Sequence, residues 1–384
     1  MKVIALVVVV AACGKPRSVV TMTAPAPAPA PVAVTAPVDD STVSAPACSA
    51  VPFLYCSNET PVDTPLTLPG ARVRALFDDQ DDGFHVVDYA PSGAMPVAKG
   101  RCTVGAPVAA AVDEHDRYYV LCAERKGALT VKRLEADGTF VPAGVPVQEP
   151  VTIADEPTGD ETFTTKHVLA VDNGAMWIVY ARETPDFKDY YTSVSAQAVR
   201  LGSKPFLVAP GEHDYAGAYA DGTQVVVMTT TTSAEGHRQE LWALGADRAK
   251  QVRMPRTTPS DDCVDRWHGS RAFDNGSLEL HLEIDATTED TTNVGPVRAT
   301  LPHARAIPAA RARGPGAALC NSDESDESDV ETPDKTIKRG AETLATNARS
   351  DAALSCSATD CVFAYTANVG ISEHEFRVRR LPPR

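Results

Sequence analysis

Residues 170–181 read AVDNGAMWIVYA. An Asn-Gly pair, Asn173-Gly174, stands between two apolar runs. Asn and Gly tolerate the positive φ that a tight hairpin turn requires, so the pair predicts a turn feeding the strand Ala175–Ala181. The template recurs as AVDEHDRYYVLCA at 111–123, AYADGTQVVVMT at 218–229 and AFDNGSLELHLE at 272–283. In the last of these Leu278, Leu280, Leu282 and Ile284 alternate with Glu279, His281 and Glu283, the period-two signature of a half-buried strand. A further apolar run, FHVVDYA at 84–90, follows Asp82-Gly83. Helical periodicity is weak throughout.

The spacing of these turns sets the architecture. Gly174 to Gly222 is 48 residues and Gly222 to Gly276 is 54, while Gly83 to Gly174 is 91, close to two such periods. Repeats of this length with several short strands each resemble the blades of a β-propeller. The expected fold is therefore all-β, a propeller of six four-stranded blades with room for a seventh after Ile284. SCSATDCVFAYTANV at 355–369 with FRVRRL at 376–381 supplies the last blade. Met176, Ile178, Val225, Val227, Leu278 and Leu280 are expected to pack between blades. The WD, kelch and Asp-box signatures do not occur. A pair of β-sandwiches is the competing architecture.

Ahead of this domain the chain reads as an address and a tether. Lys2 precedes the apolar run Val3–Ala12, which is too short to span a bilayer, since that takes about 20 residues. Val10-Ala11-Ala12-Cys13 resembles the lipobox of bacterial lipoproteins. The resemblance covers only these residues, and Val10 stands where leucine is commonest. It implies removal of residues 1–12 and a lipidated Cys13 that anchors the chain in a bacterial cell envelope. Gly14, in place of an aspartate, points to the outer membrane rather than the inner. Residues 13–47 are a Pro/Ala-rich linker whose APAPAPAP core excludes helix and is expected to be extended and disordered. Residues 48–65 form a cysteine-containing lead-in, and 66–384 the propeller-like domain.

There are nine cysteines. Assigning Cys13 to lipid leaves an even number. Spacing pairs Cys48 with Cys56, Cys102 with Cys122 and Cys356 with Cys361, and elimination leaves Cys263 with Cys320. No CxxC or cysteine–histidine spacing suggests zinc, so no metal and no cofactor is expected.

The net charge of −15 argues against a nucleic-acid partner. Residues 320–335, CNSDESDESDVETPDK, are dense in acid and are expected to form a solvated, disordered loop. The neighbouring basic stretch HARAIPAARARGPG, 303–316, is expected to pair loosely with that loop. No GxSxG, HExxH, GxGxxG or P-loop pattern is present. Asp78-Asp79 and Asp81-Asp82 sit in turns, where aspartate is favoured for its local hydrogen bonds. One surface cluster, Asp261, Asp262, Arg266, Trp267 and His268, combines acids, an arginine, an aromatic and a histidine beside Cys263. A disulfide-pinned loop accounts for it as well as a site does. The function these features suggest is an envelope-anchored binding or scaffold surface for a protein or glycan, more an interaction module than an enzyme. The alternative is a propeller hydrolase or lyase acting on envelope or extracellular polysaccharide, with acids converging from several blades.

Overall fold

The computed structural model describes residues 53–79, 81–124, 128–144, 147–148, 163–186, 191–233, 236–259, 269–273, 275–282, 297–323, 335–349, 352–370 and 373–384. All of them belong to one compact unit, Ser44–Arg384. The fold is all-β, with several four-stranded antiparallel sheets.

The chain enters through β1 (Tyr55–Ser57). The first sheet orders β2 (Leu66–Leu68), β3 (Arg72–Asp78), β4 (Gly83–Ala90) and β5 (Gly93–Arg101). The second holds β6 (Gly105–Val112), β7 (Tyr118–Glu124) and β8 (Ala128–Leu134), with β9 (Phe140–Pro142) and β10 (Val147–Gln148) both pairing with β8. The third orders β11 (Phe163–Asp172), β12 (Ala175–Asp186), β13 (Tyr191–Arg200) and β14 (Phe206–Leu207). The fourth orders β15 (Asp214–Ala220), β16 (Val225–Ser233), β17 (Gly236–Leu244) and β18 (Ala249–Val252).

Beyond Val252 the strands are hydrogen-bonded into one larger network. Here β19 (Thr257–Pro259), β20 (Gly269–Ala272), β21 (Leu278–Leu282) and β22 (Val297–Leu301) form an antiparallel group in the order β19-β22-β21-β20. A short β23 (Arg305–Ile307) leaves this group and pairs with β15. The chain continues through β24 (Ala312–Arg313), β25 (Cys320–Asp323), β26 (Lys335–Arg339), β27 (Glu342–Ala348), β28 (Ala353–Cys356), β29 (Cys361–Gly370) and β30 (Glu373–Leu381). β24 lies parallel to both β20 and β28, which joins the successive groups at their first strands. β1 completes the last group, pairing Tyr55 with Val378 and Ser57 with Phe376.

Turn chemistry explains the hairpins. Asn173 and Gly174 both adopt positive φ, 47° and 73°, as the Asn-Gly pair predicts. At the corresponding turns Gly222 and Gly276 alone are left-handed, with φ of 86° and 79°. There Asp221 Oδ1 accepts from the backbone of Thr223 and Gln224, and Asn275 Oδ1 from that of Ser277. These three turns join first and second strands of successive groups, so they are equivalent positions. Asp82-Gly83 is not. There the left-handed residues are Asp81 and Asp82, Gly83 already opens β4, and the turn joins second and third strands. Gly70-Ala71, between β2 and β3, holds the equivalent place. A Cβ added to Gly174 would meet nothing within 4 Å. Gly174→Ala is therefore expected to cost only backbone strain, about 1–2 kcal/mol by urea unfolding.

Alternation buries both faces of the middle strands. Val225 and Val227 face the third sheet with Trp177, Val179 and Ala198, while Val226 and Met228 face Leu278, Leu280 and Ala299. The second and third sheets meet through Leu121, Val131, Ile178 and Tyr180, with Met176 at the margin, and the first and second through Phe84, Val86, Val120 and Cys122. All six residues expected between sheets lie at such junctions. β26 and β27 pack on the last group through Ile337, Leu344, Phe363 and Tyr365. That group packs in turn on the first sheet through Val362, Phe376, Val378, Val73 and Phe77.

Two disulfides are formed, Cys102–Cys122 and Cys356–Cys361. Cys56 and Cys320 are also disulfide-bonded. Cys13, Cys48 and Cys263, the leader, the linker and residues 324–334 lie outside the described residues. Both ends of the acidic stretch are strand: Cys320–Asp323 pair with Lys335–Lys338, and Cys320 is buried.

Candidate functional site

Between β22 and β24 the chain leaves the sheet edge and runs among the first strands of the preceding sheets. His303, at a φ of 62°, begins this excursion. β23 then descends antiparallel to β15, placing Arg305 beside Ala220 and Ile307 beside Ala218. Small side chains make this approach possible. Ala304, Ala306, Ile307, Ala310 and Ala312 are buried, as are Ala109–Ala111, Ala170, Ala218 and Ala220 on the strands around them. Without long side chains on either partner, backbones pack closely and the interior fills without voids.

Polar contacts fix the segment at both ends. The Arg305 guanidinium donates to the carbonyl of Val112 at 2.9 Å, to that of Val171 at 2.6 Å and to Asp172 Oδ1 at 3.2 Å. Glu114 stands 3.8 Å away. At the other end the Thr67 hydroxyl donates to the carbonyl of Ala310. The segment thus touches β2, β6, β11 and β15, the first strands of four successive sheets.

Around Arg305 the first-to-second-strand turns supply the remaining charge. The buried Asp113 carboxylate accepts from the backbone of His115 and Arg117, from Arg117 Nε at 2.6 Å and from the Tyr119 hydroxyl. Burial pushes its pKa up, but the hydrogen bonds outweigh it and hold the carboxyl below its ordinary value. Asp221 is held low in the same way, with burial opposed by its bonds to Thr223 and Gln224. Tyr219 above it is pushed up to about 12 by burial and by Asp221. Asn173 Nδ2 donates to the carbonyl of Gly222, tying two neighbouring turns together.

This arrangement holds anions in place. Acid catalysis of glycoside cleavage calls for a carboxyl whose pKa is raised, opposite a second one. Asp113 and Asp221 are both depressed, and Asp172 is engaged by Arg305. A depressed folded-state pKa adds stability above the unfolded carboxylate value, ~3.9, and that stability is lost as pH falls through the lower folded value. Asp113→Asn is therefore expected to flatten the acid limb of a stability–pH curve while leaving its shape above neutrality unchanged.

The sequence reading assigned the 303–316 stretch to the acidic loop, but Arg305 is committed instead to Asp172 and two inner carbonyls. The turn acids do local work: Asp79 contacts His85, and Asp82 Oδ1 accepts from Gly105 at 2.7 Å. Asp261, Asp262, Arg266, Trp267 and His268 lie outside the described residues. The role of 303–313 was missed because an alanine-rich stretch with one proline reads as linker. Its one signal was five alanines in eleven residues, matching the alanines of β6. Among the described residues no group of three or more His, Cys, Asp or Glu side chains could hold a metal ion. An open depression of about 320 Å³ on the β17–β18 edge, lined by Glu240, Gln251 and Arg253, lies apart from this convergence.

No protein-family model matches the sequence, and no curated protein matches it. Among solved structures, an endo-arabinase from Bacteroides thetaiotaomicron is 13% identical, with a TM-score of 0.31 over 64% of this chain and 96% of that one. Saccharomyces cerevisiae Sqt1 is 7% identical, with a TM-score of 0.38 over 84% and 97%. An α-L-arabinofuranosidase from Fusarium graminearum is 10% identical, with a TM-score of 0.36 over 86% and 93%. Likeness at these scores assigns neither family nor activity.

Proposed function

We propose that the sheets close into a β-propeller of seven units and that the protein is a binding or scaffold module displayed on a bacterial envelope through a lipidated Cys13. Closure is supported by the recruitment of β1 into the last group and by the apolar junction between that group and the first sheet. The seventh unit is β24–β27, in the interval after Ile284.

The observation that carries the binding reading is the occupied centre. A propeller that processes a substrate at its axis needs an open mouth lined by opposed acids. Here the chain's own residues 303–313 take that position, packed alanine against alanine and fixed by Arg305. The surfaces left to a partner are the loop-bearing ends and the rim, the usual place for recognition on a rigid scaffold. The partner is a protein or a glycan.

The test incubates the purified 48–384 fragment with immobilised peptidoglycan, lipopolysaccharide and plant-type arabinan, measuring retention and release of reducing ends or unsaturated products. Retention without product supports the module. Product formation abolished by Glu114→Gln or Asp172→Asn would establish the hydrolase or lyase reading instead. The anchor is tested separately: a fatty-acid analogue should label the wild-type chain and not Cys13→Ala.

A further inference from the structure

One junction differs from the others. Where β21 turns its leucines toward the fourth sheet, its opposite face carries Glu279. Arg271 of β20 lies 3.2 Å from that carboxylate and stacks on Phe273 at 4.7 Å, and Arg298 of β22 lies 3.1 Å from it. The neighbouring group is β24–β27, since β24 pairs directly with β20. On β26, Ile337 faces the last group, so Thr336 and Lys338 take the other side, toward β20–β22, and Cys320 is paired with Lys338. Among the described residues no apolar cluster bridges this boundary. What is shared is a parallel ladder of two residue pairs, Arg271 with Ala312 and Ala272 with Arg313. Cys320, on that face, is disulfide-bonded.

We propose that this polar junction is latched by a disulfide from Cys320 to Cys263, and that reducing it opens the protein here and nowhere else. Cys102, Cys122, Cys356 and Cys361 are paired among themselves. Cys263 stands in the connection that leads into β20. At every other junction, separation exposes apolar surface, at about 25 cal/mol per Å². At this one, separation returns charged and hydroxyl groups to water, so the hydrophobic penalty is small and the covalent bond carries the closure. The reductant is a dithiol. It gives two electrons and two protons to the Cys263–Cys320 bond, leaving two cysteine thiols, and closes to its own cyclic disulfide. The inference rests on the junction alone and is independent of the binding reading.

The experiment uses the oxidised full domain under native conditions, treated with graded dithiothreitol. Differential alkylation maps which cysteines become free, and hydrogen exchange is followed by mass spectrometry. Cys263 and Cys320 should be alkylated together before the other pairs. At that point amides in β20–β22 and β25–β26 should exchange at least about tenfold faster, with β11–β13 and β15–β17 unchanged. The Cys263→Ser/Cys320→Ser protein should show the same pattern without reductant. If that variant fails to fold, reduction of the wild-type protein still decides the matter. A uniform rise in exchange, no rise after both thiols are alkylated, or a peptide map joining Cys320 to another cysteine would overturn the proposal.

Discussion

Phe376→Ala should destabilise the protein by about 3–5 kcal/mol in urea unfolding, the range for truncating a buried aromatic that the surroundings cannot collapse around. The side chain is fully buried on β30. Its ring centre lies 5.5 Å from that of Tyr89, 5.6 Å from Phe77 and 6.4 Å from Tyr55, so it is the common contact of the first sheet, the last group and β1. Loss of the ring leaves a cavity where three separate stretches of chain meet. Phe206→Ala is the internal comparison. Phe206 sits half-buried at an edge, in a T-shaped contact with Trp177, and its truncation should cost less than about half as much. Equal losses at the two positions would mean that the junction between last and first sheets contributes no core.

Arg305→Ala is expected to cost about 2–4 kcal/mol and to release residues 303–311 to exchange at least about tenfold faster. The loss arises chiefly from what remains behind. Val112 and Val171 lose a charged donor to their carbonyls, and Asp172, with a side chain only 7% exposed, keeps its charge without a counterion. Arg305→Lys should recover little, because a single ammonium cannot reproduce a planar fork that reaches two carbonyls and a carboxylate. Adding Asp172→Asn to Arg305→Ala should regain part of the stability, since it removes the isolated charge. If Arg305→Ala leaves both stability and exchange unaltered, the central segment is held by its alanines alone.

The legible parts of this fold were the local ones. Asn173-Gly174 and Leu278–Leu282 state their conformations within a few residues, because φ tolerance and side-chain alternation are properties of the chain segment itself. Cys102 and Cys122 could be paired because a single hairpin turn separates the strands near them. The glycine of Asp82-Gly83 misled for a related reason: aspartates can take left-handed φ as well, and two of them did so one position earlier. Tyr55–Ser57 carries no readable pattern. Three residues cannot show a period, and their partner strand lies at the other end of the sequence. Residues 303–313 were opaque because burial there depends on alanine fitting alanine across sheets, which hydropathy alone does not register.

The position of β1 bears on how the protein comes into being. Tyr55–Ser57 emerges from the ribosome ahead of every other described strand, yet its ladder partner, Phe376–Val378, is among the last residues made. Until then its backbone groups have no ladder and its tyrosine ring no Phe376 to pack on. Folding can proceed sheet by sheet along the nascent chain, but the first strand stays unsatisfied until synthesis is complete. Any chain broken off before Glu373 therefore presents two unfinished strand edges, the kind of surface on which other chains template and which quality-control proteases engage. Only a full-length product can withdraw it.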